Sequence, residues 1–314
     1  MDKWSRRGLL TLGAGASVSM FLRGVVGPEQ MQTKPIPSTG EQLPVIGLGS
    51  ASTFSAAAGA QDTADLREVM RALVLHGGKV LDTAPSYGSS EEVAGRIASA
   101  AALTSRIFWS TKVNVAPTNG HADPAIARAE LETSAKRIRK RPIDLIQVHN
   151  LGDLPVQLKL LKDWKAQGRV RYIGVTTTMS QQYDDLVRTM KSEPLDFIGV
   201  NYAVDDRHAE DTILPLAHDR GIAVLAYMPF GRTRLFRRAG HRPLPDWAAA
   251  FDAKTWAQFF LKYVVSHPSV NAATPATSKV KDMLDNVGAC FGRLPDEATR
   301  KRIAAFVDAL PVVA

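Results

Sequence analysis

Cysteine is nearly absent from this chain: Cys290 is the only one. No intrachain disulfide and no cysteine-based metal site can form. The histidines, His76, His121, His149, His208, His218, His241 and His267, show no metal-ligand spacing, so no metal is expected. Aromatic residues are sparse, at 7%, and do not interleave with the basic clusters. That argues against a nucleic-acid surface. No apolar run reaches the roughly 20 residues a membrane-spanning helix needs. What remains is an ordinary soluble composition, 45% hydrophobic and 22% charged, with a modest net charge of +8. At 314 residues the chain has room for one large α/β domain or two small ones.

The first thirty residues stand apart. Ser5-Arg6-Arg7-Gly8-Leu9-Leu10 is a twin-arginine pattern, followed by an apolar run from Thr11 to Leu22. A charged start and a short apolar stretch describe an export signal. The expectation is therefore a signal segment over 1–30, read by the twin-arginine translocation machinery, and a single domain over 31–314. The destination is the periplasm, with membrane contact only through the segment if it is not cleaved. Ser17-Val18-Ser19 is a passable cleavage site, although Arg23 follows awkwardly.

Eight short β-rich runs follow: Val45–Gly47, Lys79–Leu81, Ile107–Thr111, Ile143–Val148, Val170–Val175, Phe197–Val200, Ile222–Ala226 and Val270–Ala273. Segments of helical period separate most of them, such as the stripe Leu66, Val69, Met70, Leu73 and Val74. Ile126, Leu131 and Ile138 read as a second stripe, and Trp256, Phe259, Phe260 and Val264 as a third. Strand and helix repeated eight times predict an α/β fold of the (β/α)8 TIM-barrel type. The turn residues between Lys34 and Pro44 predict an N-terminal β-hairpin that caps the barrel floor. Gly47-Leu48-Gly49 imitates a dinucleotide fingerprint, but Ser52 replaces its third glycine and no helix follows at once.

In such a barrel, functional groups sit at the C-terminal ends of the strands. Asp82, Lys112 and His149 end the second, third and fourth runs, and Tyr87 lies on the turn after Asp82. A free phenol titrates near pH 10, and a nearby ammonium stabilises its phenolate. Lys112, paired to Asp82, is placed to do this for Tyr87, with His149 orienting a carbonyl oxygen. Tyr87 then acts as general acid for reducing a carbonyl, or as base for the reverse oxidation. None of these groups can hold a hydride, so a nicotinamide cofactor is implied.

Leu81-Asp82-Thr83-Ala84-x-x-Tyr87-Gly88, Ser110-Thr111-Lys112-Val113, Ile143–His149 and Val170–Thr176, in this order, resemble the aldo-keto reductase superfamily. The similarity runs from about Lys34 to the end. It implies a catalytic tetrad of Asp82, Tyr87, Lys112 and His149, a small-molecule carbonyl substrate, and NADP(H) across the barrel mouth. The implied cofactor set is Gly49, Ser50, Thr176, Thr177, Tyr227, Pro229, Phe230, Gly231, Arg232, Thr277, Ser278, Lys279 and Asn286. Tyr227 matches the aromatic that stacks on the nicotinamide, and Pro229-Phe230-Gly231 opens the belt over the pyrophosphate, which favours Arg232 and Arg234 as ligand-facing. Thr176-Thr177 stands where the family usually has Ser-Asn, and Gly199 where it often has glutamine. Ala276 and Asp282 replace common basic residues, so NAD(H) is not excluded.

Phe54, Trp109, Tyr202 and Trp247 are candidates for the apolar walls of a substrate pocket, although Trp109 reads more readily as a core residue. The replacements at Thr177 and Gly199 also admit a redox-silent, cofactor-binding regulatory protein on the same barrel, and a lyase using Lys112 as a Schiff base is a third reading. Substrate identity and oligomeric state are not written in the sequence.

Overall fold

The computed structural model describes residues 31–55, 63–116 and 120–312. The expected signal segment, 1–30, lies outside them. The described residues begin with the hairpin β1 (Thr33–Pro35) and β2 (Gln42–Pro44), paired antiparallel. Eight parallel strands follow: β3 (Leu48–Gly49), β4 (Val80–Asp82), β5 (Phe108–Val113), β6 (Ile143–His149), β7 (Val170–Thr177), β8 (Phe197–Asn201), β9 (Ala223–Tyr227) and β10 (Ala272–Ala273). They pair in sequence order. Parallel bridges between Ile46 and Ala273 and between Gly49 and Ala276 join the first strand to the last. A (β/α)8 barrel results, as the repeated pattern predicts.

Helices return the chain between strands: α1 (Ala64–Leu75), α2 (Ser90–Ala100), α3 (Pro124–Ile138), α4 (Leu154–Ala166), α5 (Tyr183–Ser192) and α6 (Ile213–Asp219). After β9 come the short α7 (Arg234–Ala239) and α8 (Trp256–Ser266), then α9 (Val280–Gly288) and α10 (Glu297–Asp308). Their boundaries follow local chemistry. In α3, the Asp123 side chain caps the amides of Ala125 and Ile126, Pro124 occupies the first turn, and Arg139 ends the helix in a left-handed conformation. The α1 stripe is buried as expected. Ile126, placed in the second stripe by its period, is instead 58% exposed, because the buried face of α3 runs through Ala127, Leu131, Ala135 and Ile138 and leaves Ile126 to one side.

Alternation along the strands divides the core. Ile146, Val148, Val175, Ile198 and Val200 face outward against the helices. Val80, Phe108, Leu145, Tyr172, Phe197 and Leu225 face inward and, with Ile36 and Leu43 of the hairpin, fill the barrel floor. Phe108, Tyr172 and Phe197 lie with centroids 5.6–5.9 Å apart. Each such ring contributes on the order of 2 kcal/mol by leaving water. The hairpin thus closes one end with apolar packing, and the polar side chains gather at the other.

Candidate active site

Inward positions two residues beyond the apolar floor carry polar groups: Asp82 on β4, Ser110 on β5 and Gln147 on β6. Lys112 and His149 follow two residues later. Lys112 is 1% exposed and Asp82 4%. The Lys112 ammonium donates to Asp82 Oδ2 at 2.7 Å and to the Thr83 carbonyl at 2.8 Å. Its Nζ lies 5.0 Å from the centre of the Tyr87 ring. Two of its three donors are therefore occupied within the barrel. Asp82 Oδ1 in turn accepts from Ser110 Oγ at 2.8 Å and from the Tyr227 hydroxyl at 3.2 Å. Tyr87 and His149 meet edge to face, their rings 5.7 Å apart, and His149 Nδ1 is 3.3 Å from Ser86 Oγ.

Burial dominates the electrostatics. It raises the Tyr87 phenol above its ordinary value; Lys112 opposes this, as its position in the sequence leads one to expect, but does not reverse it. Burial also tends to discharge Lys112, yet the negative partners, Asp82 first, hold the ammonium charged well above the usual lysine range. His149 is held down to about 4 by burial and then by the Lys112 charge, so its imidazole is neutral at pH 7.

These four side chains line one cleft of about 550 Å³ at the C-terminal mouth. Gly49, Ser50, Thr176, Tyr227, Pro229, Phe230 and Arg232 also line it, together with Asn150, Thr178, Met228 and Ala276. Thr176 Oγ1 is buried without a hydrogen-bond partner, and so is Asn150 Oδ1. Met228 and Arg232 adopt positive φ, 49° and 63°, a conformation non-glycine residues take at a cost; it folds the loop after β9 over the cleft.

Other residues of the expected cofactor set are placed differently. Ser50 shows the cleft its surface, but its hydroxyl donates to the Asp82 carbonyl at 2.9 Å. Thr177 points to the outer side, where its hydroxyl bonds Gln182 at 2.5 Å. Gly231, Thr277, Ser278, Lys279 and Asn286 are not among the cleft-lining residues. Thr277 and Lys279 form the turn into α9, with the Lys279 amide donating to Thr277 Oγ1 at 3.0 Å.

Arg234, read as ligand-facing, is instead bound to the buried Asp205 by two bonds of 2.7 and 2.9 Å. Arg238 donates to the Val307 and Leu310 carbonyls. Of the Arg232–Arg242 cluster, Arg232 is the one that lines the cleft. The four candidate apolar walls are all elsewhere. Phe54, Trp109 and Tyr202 are fully buried, and Trp247 packs on Phe251, Phe259 and Phe306. Large aromatics contribute more when buried than as pocket walls, and strand position alone does not separate the two. Asn150 and the inner pair Ser110 and Gln147 escaped the sequence reading, although strand alternation back from Lys112 and His149 points to the pair.

The aldo/keto reductase family model matches residues 45–305. Aldo-keto reductase YhdN of Bacillus subtilis is 31% identical over 206 residues, covering 63% of this chain and 61% of that one. The match thus spans less than two thirds of that relative's length. An aldo-keto reductase from Klebsiella pneumoniae, solved in complex with NADPH, superposes with a TM-score of 0.71 at 23% identity, over 90% of this chain and 100% of that one. A glycerol dehydrogenase from Gluconobacter oxydans gives 0.72 at 23% identity, over 90% and 97%. A barrel with Asp82, Lys112, Tyr87 and His149 around one mouth, matched along most of its length, places this chain in the aldo/keto reductase family.

Proposed function

We propose that the protein reduces an aldehyde or ketone to the alcohol with NADPH, which supplies the hydride when bound. The observation that carries this reading is Lys112, buried and charged, fixed by Asp82 beside the Tyr87 ring in a cleft shared with His149. The residues present fit a nicotinamide cofactor. The unpartnered Thr176 hydroxyl is suited to a carboxamide, the Tyr227 ring lines the cleft, and Arg232 brings positive charge to the belt loop. A buried polar atom without a partner costs about 1–3 kcal/mol, which a ligand can recover. The contributions of Thr177, Gly231, Thr277, Ser278, Lys279 and Asn286 belong to the same proposal.

The roles follow from the electrostatics. Tyr87 is protonated at neutral pH and gives its proton to the carbonyl oxygen. Lys112 stabilises the phenolate left behind, and Asp82 keeps Lys112 in place. With the Ser86 hydroxyl donating to Nδ1, His149 carries its proton on Nε2 and donates a hydrogen bond to the substrate oxygen. We propose further that the chain is exported by the twin-arginine route and releases its cofactor slowly, since free nicotinamide is scarce outside the cytoplasm.

The test mixes the protein lacking residues 1–30 with NADPH and an activated aromatic aldehyde, with Tyr87→Phe alongside. Loss of reduced-nicotinamide absorbance in the parent but not the variant supports the reading. NADPH binding without turnover, across a panel of carbonyls, sinks it and leaves the redox-silent barrel. Export is checked separately: Arg6→Lys with Arg7→Lys keeps the protein out of the periplasmic fraction if the signal is real.

A further inference from the structure

Tyr227 does two things at once. Its ring lines the cleft, yet its hydroxyl reaches down into the barrel. There it receives a hydrogen bond from Gln147 Nε2 at 2.9 Å and donates to Asp82 Oδ1 at 3.2 Å. Lys112 Nζ lies 5.3 Å from the centre of its ring. The space for this arrangement comes from Gly199 on β8. A β-carbon there would stand 2.4 Å from Tyr227 Cε2, 2.6 Å from its hydroxyl oxygen and 2.7 Å from Cζ. Any side chain at 199 would push the ring out of the barrel. Gly199 and Tyr227 are on neighbouring strands, so one position's lack of a side chain is filled by the other's ring.

We infer that Tyr227 is a positioning residue for proton transfer, acting through Asp82, and that Gly199 is the residue that admits it. The inference rests on the reading of Tyr87 as the proton donor. A hydroxyl bonded to Asp82 Oδ1 draws negative charge away from the carboxylate and fixes the group whose Oδ2 holds Lys112. The titratable groups facing this cluster are Asp82 and Tyr87 from β4 and the turn after it, Lys112 from β5, His149 from β6 and Tyr227 from β9, with Arg232 at the mouth. From β7 and β8 the facing residues are uncharged, Thr176 and Gly199. The Asp82 charge raises the Tyr87 phenol. Removing the Tyr227 hydroxyl leaves more of that charge in place, and Tyr87 becomes a weaker acid.

The experiment compares Tyr227→Phe, Gly199→Ala and the double variant with the parent. Tyr227→Phe keeps the ring, so NADPH affinity, read by fluorescence, should stay within about two-fold. In reduction, kcat falls roughly ten-fold, and the alkaline limb of kcat/KM moves up by about half a pH unit or more. Gly199→Ala moves the limb the same way, and the double variant moves it no further than either single one. The Tyr87 titration is also followed without turnover, by 13C NMR of Tyr-labelled protein with the Tyr87→Phe variant for assignment. Its midpoint should rise in both single variants. An unmoved midpoint overturns the inference whether or not a substrate is known, and so does a large loss of NADPH affinity in Tyr227→Phe. Absence of turnover in the parent, with the midpoint shifted as expected, counts against the reductase reading and leaves the Tyr227–Asp82 coupling standing.

Discussion

The Lys112–Asp82 pair offers a quantitative test of how the site is built. Both side chains are almost wholly buried, 1% and 6% exposed, and their atoms are 2.7 Å apart. Asp82→Asn preserves shape but removes the charge that compensates Lys112. The new amide must also turn its NH2 either toward the Lys112 ammonium, which can only donate, or toward the Ser110 and Tyr227 hydroxyls, which now donate to this oxygen and would have to reorient. Removing one partner of a buried ion pair costs about 3–5 kcal/mol. Lys112→Met is smaller in effect, about 2–4 kcal/mol, because Ser110 and Tyr227 still bond the carboxylate. The double variant leaves no uncompensated charge and should cost at least about 2 kcal/mol less than the sum of the single ones. Urea unfolding of the protein lacking residues 1–30, at constant m-value, measures all three. Additive losses would refute the argument, since they would mean that the two side chains do not depend on each other.

Three further outcomes are expected. Tyr87→Phe lowers kcat for carbonyl reduction by about 10²–10⁴-fold with NADPH binding retained, as steady-state kinetics and fluorescence titration together show. His149 and His267 are both held down to about 4, chiefly by burial. Each binds a proton more readily when unfolded, so stability falls as pH drops from about 6.5 toward 4, and His267→Gln makes the acid limb of a stability–pH profile shallower. Arg232→Ala weakens NADPH binding by several-fold without changing the urea midpoint. Arg234→Ala does the reverse, losing about 1–3 kcal/mol of stability by leaving the buried Asp205 short of its partner. A calorimetric titration beside an unfolding curve distinguishes the two arginines.

Much of this was legible in the sequence because the barrel converts order along the chain into position in space. A residue that ends an apolar run must lie at the mouth, which is how Asp82, Lys112 and His149 come together from separate strands. Period-2 alternation reaches one layer deeper, to Ser110 and Gln147. What escaped depends on contacts between residues far apart in sequence. Arg232 and Arg234 look alike on paper, and only Asp205, brought in from the loop after β8, separates a cleft residue from a paired one. Tyr202 follows the end of β8 much as His149 ends β6, and Trp109 lies early in β5, but both side chains turn outward into the core. Tyr227 was expected to present its face to a ligand; that its hydroxyl goes inward depends on Gly199, one strand away. The phenol of Tyr87 shows the same limit: the sign of the Lys112 effect follows from charge alone, but its size against burial does not.

The seam between β3 and β10 has a consequence for biosynthesis. Residues about 225 positions apart must meet before the barrel is closed, and contacts so distant form late. Gly49 and Ser50 lie on one side of that seam and Thr274, Pro275 and Ala276 on the other, and all five line the cleft. A chain still emerging from the ribosome therefore has an unfinished pocket, however well its middle strands are paired. A pocket-binding ligand would hold the two sides of the seam together, so its capture would mark the closing of the barrel.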